Sequence, residues 1–454
     1  MRTETSWRKC LCLLAASVLV LVVCLVTGCG SKEEDAGGRT IITLPTTGGD
    51  RMEKMYAEMI PAFEKAHPDV KVKRMDVPGS YYIKLQIMIA AGSAPDLAPM
   101  MTMRLPMFLY RNAFLPLNDL MQADNEFQAR KSDIYEKTWS GFEKDGKLYG
   151  LAYSQNLYAV YYNKTIFDTY NKTAPEGEKV EYPNSTWDLD KFVEVAKKLT
   201  LDTDGDGRID QYGTISSGTP FYVTCPILRR FGLELFNPEK TKCNLDRPEA
   251  IEAMQWYFDL PLKYHVAPSP VGPDARSVGA VAGGPQEMFM AGRVAMWEAE
   301  SEWRFEFNKK IKSFEWDIGE PPHGRFKAAG FECFGMSITA SSKHPKEAWK
   351  FIGFLTSPEG QKILLKHEIG IPVLKSLCQS PEYFLNPKDL PAHKEVYLKT
   401  LEYGEDIPSL RNFQEVESAI SDQLDWARIG KKPTEECCKA AAREADKLLE
   451  ENKD

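Results

Sequence analysis

Residues Tyr149 to Asp168 read YGLAYSQNLYAVYYNKTIFD. Gly150 marks a bend, Leu157 to Tyr162 form an apolar-aromatic run, and the polar pair Asn163-Lys164 closes it. A short apolar run bounded by turn residues reads as a buried strand. The chain on either side of this stretch differs in pattern. Ahead lies a repeating strand–helix unit; behind lie helices, loops and most of the tryptophans. The stretch therefore reads as the first crossing between two lobes, with Tyr153 to Asn156 lining the cleft between them.

The unit ahead begins with a strand over Thr40 to Pro45 and a polar turn over Thr46 to Asp50. Met52, Met55, Tyr56, Met59, Ile60 and Phe63 then recur at helical spacing, which predicts one buried helix face. His67-Pro68 ends that helix. A strand over Val70 to Val77, a helix over Tyr81 to Ala91 closed by Gly92, and a strand over Leu97 to Met101 come next. The order βαβαβ predicts a parallel sheet with right-handed crossovers, whose ligands meet the carboxyl ends of the strands. Those ends are Thr46 to Asp50 and Met101 to Arg104.

Just before the crossing, Phe127 to Lys147 is polar and expected at the surface. Beyond the crossing, Ser185 to Asp188 opens a helix to Leu199, with Ser or Thr as cap. Gly218 to Tyr222 leads into a helix to Phe231. Asp246 and Glu249 suggest a capping box for a helix to about Lys263. Gly272 to Gly284 reads as loop, Pro285 to Gly292 as a short helix, and Val294 to Trp297, Trp316 to Ile318 and Gly330 to Thr339 as strands. Pro345 and Ser357-Pro358 open two helices, Gly370 to Val373 is an extended crossing, and the chain ends in helices. In the last helix Cys438, Ala441, Ala442, Ala445, Leu448 and Leu449 form one stripe, so Cys438 is expected buried and Cys437 less so.

The chain has 454 residues, 43% hydrophobic, enough for two lobes or more. Its net charge of −8 offers no basic field for nucleic acid. Arg2, Arg8 and Lys9 precede an uncharged apolar run, Leu11 to Val26, which reads as a targeting segment. Val26-Thr27-Gly28-Cys29 resembles the bacterial lipobox, which implies cleavage after Gly28 and a lipid on Cys29. Residues 29–38 then form a tether, and the protein sits at the cell envelope, in the periplasm or on the cell surface, as a monomer anchored to the membrane. Of the ten cysteines, six fall beyond Cys29, in no zinc-binding spacing, and are expected as free packing thiols.

The chain carries no G-x-S-x-G, H-E-x-x-H or phosphate-loop motif, and its six histidines stand singly. The loop DTDGDGRID places Asp202, Asp204, Asp206, Arg208 and Asp210 at the first, third, fifth, seventh and ninth positions of a calcium loop, with Gly207 at the sixth. The twelfth position, ordinarily a bidentate glutamate, is Gly213. A structural Ca²⁺ is the expected cofactor, and an Asp-Gly turn held by its own side chains is the alternative. Aromatic residues gather near predicted strand ends: Tyr153, Phe221, Tyr222, Trp297, Trp303 and Phe331. A flat ring covers the apolar face of a sugar while carboxylates accept from its hydroxyl rim. Glu298, Glu300 and Glu302 would share one strand face by alternation, as acceptors or as a paired-carboxylate glycosidase centre.

Several stretches together carry a family resemblance: FEKAHPDVKVK and KLQIMIAAGSAPDL between Phe63 and Leu97, the crossing itself, TWDLDKFVEVAKKLT, DTDGDGRIDQYG, MFMAGRVAMW, AWKFIGFLTSPEGQK and GIPVLKS. In this order they resemble the extracellular solute-binding proteins of bacterial ABC transporters, in the carbohydrate-binding family that includes maltose-binding protein. The resemblance implies an α/β, two-lobe, type II binding-protein fold, each lobe a mixed sheet flanked by helices. Residues 39–154 with 336–374 would form one lobe, and 155–335 with 375–454 the other. It implies a non-enzyme that closes over a carbohydrate and delivers it to permease subunits. The site would take Thr47, Asp50, Arg104, Tyr153 and Asn156 from the first lobe and crossing, and Thr219, Phe221, Tyr222, Glu300 and Trp303 from the second. Asn156 stands where maltose-binding members carry a carboxylate, which argues against maltose itself. Asp-rich loops recur in the family as structural calcium sites. A secreted calcium-dependent carbohydrate-active enzyme and a sensory solute-binding protein are the alternative functions.

Overall fold

Strand β1 (Thr40–Thr46) and β2 (Val70–Asp76) pair in parallel through helix α1 (Asp50–Ala66). Met55, Tyr56, Met59, Ile60 and Phe63 are the buried face of α1, as their spacing requires. Burial of each such side chain contributes roughly 1.5–3 kcal/mol. The structure, a computed structural model, describes residues 34–271 and 284–450. The targeting segment, Cys29 and all but the last residue of the loop expected at 272–284 lie outside them. No described helix is long and apolar enough to cross a membrane.

Helix α2 (Tyr81–Ala90) leads to β3 (Leu97–Met101), which leaves the parallel pair and runs antiparallel to a later strand, Ala329–Ile338. The Asp96 carboxylate accepts from the backbone N–H and the hydroxyl of Thr43, so β1 meets this segment through a side chain. Pro45 in β1 and Pro99 in β3 each remove a backbone donor.

The crossing stretch is a single strand, β4 (Leu151–Asn163), with all thirteen residues buried. After it come α3 (Leu189–Lys198), α4 (Phe221–Arg230) and α5 (Pro248–Leu262). Then follow β5 (Met296–Glu300), α6 (Trp303–Lys310), β6 (Trp316–Gly319) and β7 (Ala329–Ile338). Helices α7 (Pro345–Leu355) and α8 (Pro358–Lys366) precede β8 (Gly404–Asp406), α9 (Phe413–Arg428) and α10 (Thr434–Glu450). One six-stranded sheet has the order β8-β7-β4-β5, with β3 on β7 and β6 on β4. The first half of β4 pairs with β7, the second half with β5 and β6.

A bulge between Ala152 and Ser154 leaves Tyr153 out of the ladder, and Gln361 from α8 occupies its freed carbonyl at 2.8 Å. The extended crossing at 370–373 runs beside β4: Gln155 and Ile371 exchange backbone hydrogen bonds at 3.0 Å, and the Gln155 amide donates to the Pro372 carbonyl at 2.6 Å. Gly370 has φ +62°, and a Cβ there would stand 2.7 Å from that of Ser154, so only glycine fits.

Several local expectations are corrected. Asp188 caps α3, accepting from the Lys191 N–H, because its short carboxylate reaches the third amide. Pro248 at the first turn opens α5 without a side-chain cap. Residues 127–147 are not all surface: Phe127 and Phe142 are fully buried. Cys437 is buried with Cys438 in α10, and all six described cysteines are free and buried.

Candidate functional site

A cavity of about 210 Å³ opens beside the second half of β4. Tyr158, Tyr222, Trp297 and Trp303 supply ring surface, and Glu298, Glu300 and Arg230 supply charge. Register explains the grouping. Tyr158 pairs with Glu300 and Val160 with Glu298, so the two acids share a sheet face with the residues beside them. The Trp297 indole donates to Ser217 Oγ at 3.1 Å and lies 5.6 Å from the Trp303 ring. Trp303 stacks on Phe307, with planes 23° apart. Tyr222 stays 41% exposed at the mouth, 6.5 Å from Tyr158.

Arg230, buried in α4, donates to Glu298 Oε1 and to the Ala328 carbonyl, which offsets the cost of desolvating it. Asn156 in β4 donates to Glu300 Oε2 at 2.8 Å and accepts from Ser301 Oγ at 2.5 Å. Burial, then the charge of Glu302, raises the Glu300 carboxyl above the ordinary glutamate range. Glu332 in β7, paired with Asn156, is raised by burial and then by Glu300.

Of the expected ligand contacts, Tyr222, Trp297, Glu298, Glu300 and Trp303 line this cavity, and Asn156 holds Glu300 from behind. Phe221 is corrected to a core residue: its ring lies 5.1 Å from Phe413 and 5.8 Å from Phe236, fully buried. The first residue of α4 turns inward, and its neighbour Tyr222 turns out. Phe331 is corrected likewise: β7 is packed on both faces, and Phe331 is fully buried in the core on the face opposite Glu332. Thr219 is buried, its hydroxyl without a partner. Glu302 lies past the end of β5, off the strand face that alternation predicted.

The remaining expected contacts come from the first half of the chain and do not line the cavity. Tyr153 is buried at the bulge, near Tyr56 and Tyr82. Arg104 sits 4.8 Å from the Phe413 ring and 5.8 Å from the Tyr82 ring. Asp50 is exposed and bonds Lys54 at 2.8 Å, and Thr47 is half-buried just before it. Arg51, unforeseen, reaches across to Glu302 at 3.9 Å and lies 5.0 Å from the Phe305 ring. Tyr158, Arg230 and Glu332 were also unforeseen. A glutamate inside the run AGFECFGMSI was the available sign for Glu332, since an acid in a buried strand needs a reason.

In the acidic loop, oxygens of Asp202, Asp204 and Asp210 lie within 4.8 Å of one another. Asp202 accepts from the Gly205 and Gly207 N–H groups, and Asp210 from Thr203, which lowers the Asp210 pKa. Asp206 accepts from the Arg208 N–H and stands outside the trio. An all-oxygen set on one tight loop suits a hard divalent cation. The absent glutamate has a steric cause: a Cβ at Gly213 would lie 2.0 Å from the Ala196 carbonyl oxygen.

Two α/β halves joined through shared strands, with an aromatic and acidic cavity beside the crossing, define a two-lobed binding protein of type II fold. The chain belongs to the bacterial extracellular solute-binding proteins, whose family model matches residues 47–362. A binding protein of Brucella abortus is 25% identical over 399 residues, 87% of this chain and 89% of that one. An ABC substrate-binding protein from Listeria monocytogenes, solved with cycloalternan, superposes with TM-score 0.75 at 24% identity, covering 91% of this chain and 99% of that one. The cyclic α-maltosyl-1,6-maltose-binding protein of Arthrobacter globiformis also gives TM-score 0.75, at 17% identity, over 91% and 100%. Members of the family bind solutes, which fits a non-enzyme.

Proposed function

We propose that this protein captures a sugar or oligosaccharide between two hinged lobes, residues 39–154 with 336–374 and 155–335 with 375–454, and delivers it to the permease subunits of an ABC importer. One observation carries the reading: Tyr222, Trp297 and Trp303 line the same cavity as Glu298, Glu300 and Arg230. Rings can cover the CH faces of a pyranose while the carboxylates and the guanidinium meet its hydroxyls. The carbohydrates bound by the two structural neighbours support this class without naming the sugar. Closure draws on groups of the first lobe that already face the second, Arg51 and Arg104. Isothermal titration against an oligosaccharide panel, with small-angle scattering for compaction, is the test. Saturable binding with a smaller radius is expected; binding of amino acids or peptides alone would remove the sugar assignment.

In this reading Cys29 carries the lipid anchor and the protein works as an envelope-bound monomer. A Cys29→Ser variant should leave the membrane fraction, and one that stays there would sink the anchor. The loop holds Ca²⁺ through Asp202, Asp204 and Asp210, with the Arg208 carbonyl at the seventh position and water completing the shell. Chelator should lower the melting temperature, and Asp204→Ala with Asp206→Ala should lower it and abolish that response. A wild type indifferent to chelator removes the metal.

A further inference from the structure

Two carboxylates meet at the base of the cavity, and no cationic side chain among the described residues lies between them. Glu300 ends β5 and Glu332 lies in β7, on opposite edges of β4, paired with Tyr158 and Asn156 respectively. Asn156 and Tyr158 are two apart in β4 and share a face, so both acids converge over it. The Asn156 amide donates to Glu300 at 2.8 Å, Glu332 pairs with Asn156 across the ladder, and the charge of Glu300 raises the Glu332 carboxyl, which places the two acids side by side. Two buried anions at that separation repel strongly, and one shared proton converts the repulsion into a charge-assisted hydrogen bond.

Among the described residues, the surrounding charges leave the pair without a cation of its own. Glu302 and Asp406 add negative charge. Arg230 is committed to Glu298, and Arg51 to Glu302. Lys137 and Arg229 face Asp406, whose carboxyl burial pushes up to about 7. Tyr158 and Tyr222, the latter also near Glu417, are the neighbouring phenols, each raised by burial and so neutral.

We propose that Glu332, Asn156 and Glu300 form one unit holding a single shared proton at the base of the cavity, and that Glu332, which does not line the cavity, determines specificity by setting the charge and donor capacity that Glu300 presents to a ligand. The proton comes from water and returns to it; no other bond changes. With the proton, the pair offers a ligand hydroxyl one donor beside its acceptors; without it, acceptors only. The inference rests on this cavity being the ligand site, but its first test needs no ligand.

That test is the infrared band of protonated carboxyls, followed from about pH 5 to about pH 9, where ordinary acids are already ionised. Asp406→Asn removes the contribution of Asp406 and serves as the background. On that background the pair should titrate above the ordinary glutamate range, and Glu332→Gln should move the midpoint to the acid side, since the repelling partner is gone. Glu300→Gln should do the same for the acid that remains, and stands in if Glu332→Gln fails to fold. An unchanged midpoint in either variant means that each acid titrates by burial alone and overturns the shared proton. Maltotriose serves as the ligand probe: its Kd should vary with pH in the wild type and not in Glu332→Gln. Equal pH dependence in both removes the specificity role. Absence of maltotriose binding at every pH overturns the specificity role toward an α-glucan, while the infrared result still decides the proton.

Discussion

Gln155 and Asn156 are adjacent amides in β4, both buried, and they serve opposite faces of the crossing. Gln155 faces the extended segment 370–373, the hinge of the proposed function: it bonds the Pro372 carbonyl while its backbone pairs with Ile371. Asn156 faces the cavity and holds Glu300. The Gln155 bonds on that face join neutral groups, so they do not titrate, and the charged group there is the Arg304 guanidinium, which donates to the Gly370 carbonyl at 2.6 Å. The cavity face gathers acids that burial holds above their ordinary range. A binding protein of this fold needs both: a crossing that keeps its register while the lobes move, and a surface left partly unsatisfied for a ligand to complete.

The largest expected effect tests the hinge face. Gln361 donates to the Tyr153 and Leu355 carbonyls and accepts from the Val373 N–H, all buried. Gln361→Ala strands those groups, at roughly 1–3 kcal/mol apiece if water cannot reach them. Denaturant unfolding should show a loss of about 3 kcal/mol or more, the same at pH 6 as at pH 8. A loss below about 0.5 kcal/mol would mean that the bulge does not depend on Gln361.

The cavity face should respond to pH. Burial raises Glu300, Glu332 and Asp406, so each binds protons more tightly folded than unfolded. The stability they contribute is full below the unfolded values, about 4, and is lost as pH rises through the folded ones. Melting temperature should therefore fall from about pH 5 to about pH 8, and more steeply in the wild type than in Glu332→Gln. A flat profile in both would refute the account of burial.

Trp303→Ala should weaken sugar binding about tenfold, or about 1.4 kcal/mol, with little change in melting temperature, since the ring is only partly buried. Calorimetry with a sugar that binds the wild type reads this, and unchanged affinity would move the ligand away from Trp303. The smallest effect is that of Arg51→Ala. Arg51 and Glu302 are 37% and 35% exposed and 3.9 Å apart, so solvent screens the pair to about 0.5 kcal/mol. Scattering should show a slightly larger unliganded radius, and a large stability loss would make Arg51 structural.

Much was legible in order along the chain. The spacing of Met55, Met59 and Phe63, the proline at the start of α7 and the apolar run of β4 each decide a local structure by one strong term. The site was legible only in part. Glu300 and Trp303 stood out because acids and rings cluster there, and both line the cavity. Phe221 and Phe331 look the same in sequence as rings that face a ligand, yet both are core. Their direction is set by which way a helix begins and which face of a strand is packed, and neither is a property of a short stretch.

The amino-acid sequence by itself determined the elements, their order and the crossing, because helical and strand periodicity arise between neighbours a few residues apart. It also carried the carboxylates of the acidic loop, since Asp202, Asp204 and Asp210 all come from one turn. Tertiary structure alone decided that β3 leaves the parallel pair, that Asn156 stands between Glu300 and Glu332, and that Arg51 faces Glu302. Those partners lie from about 140 to about 250 residues apart, and register, burial and charge at such separations exist only once the strands have met.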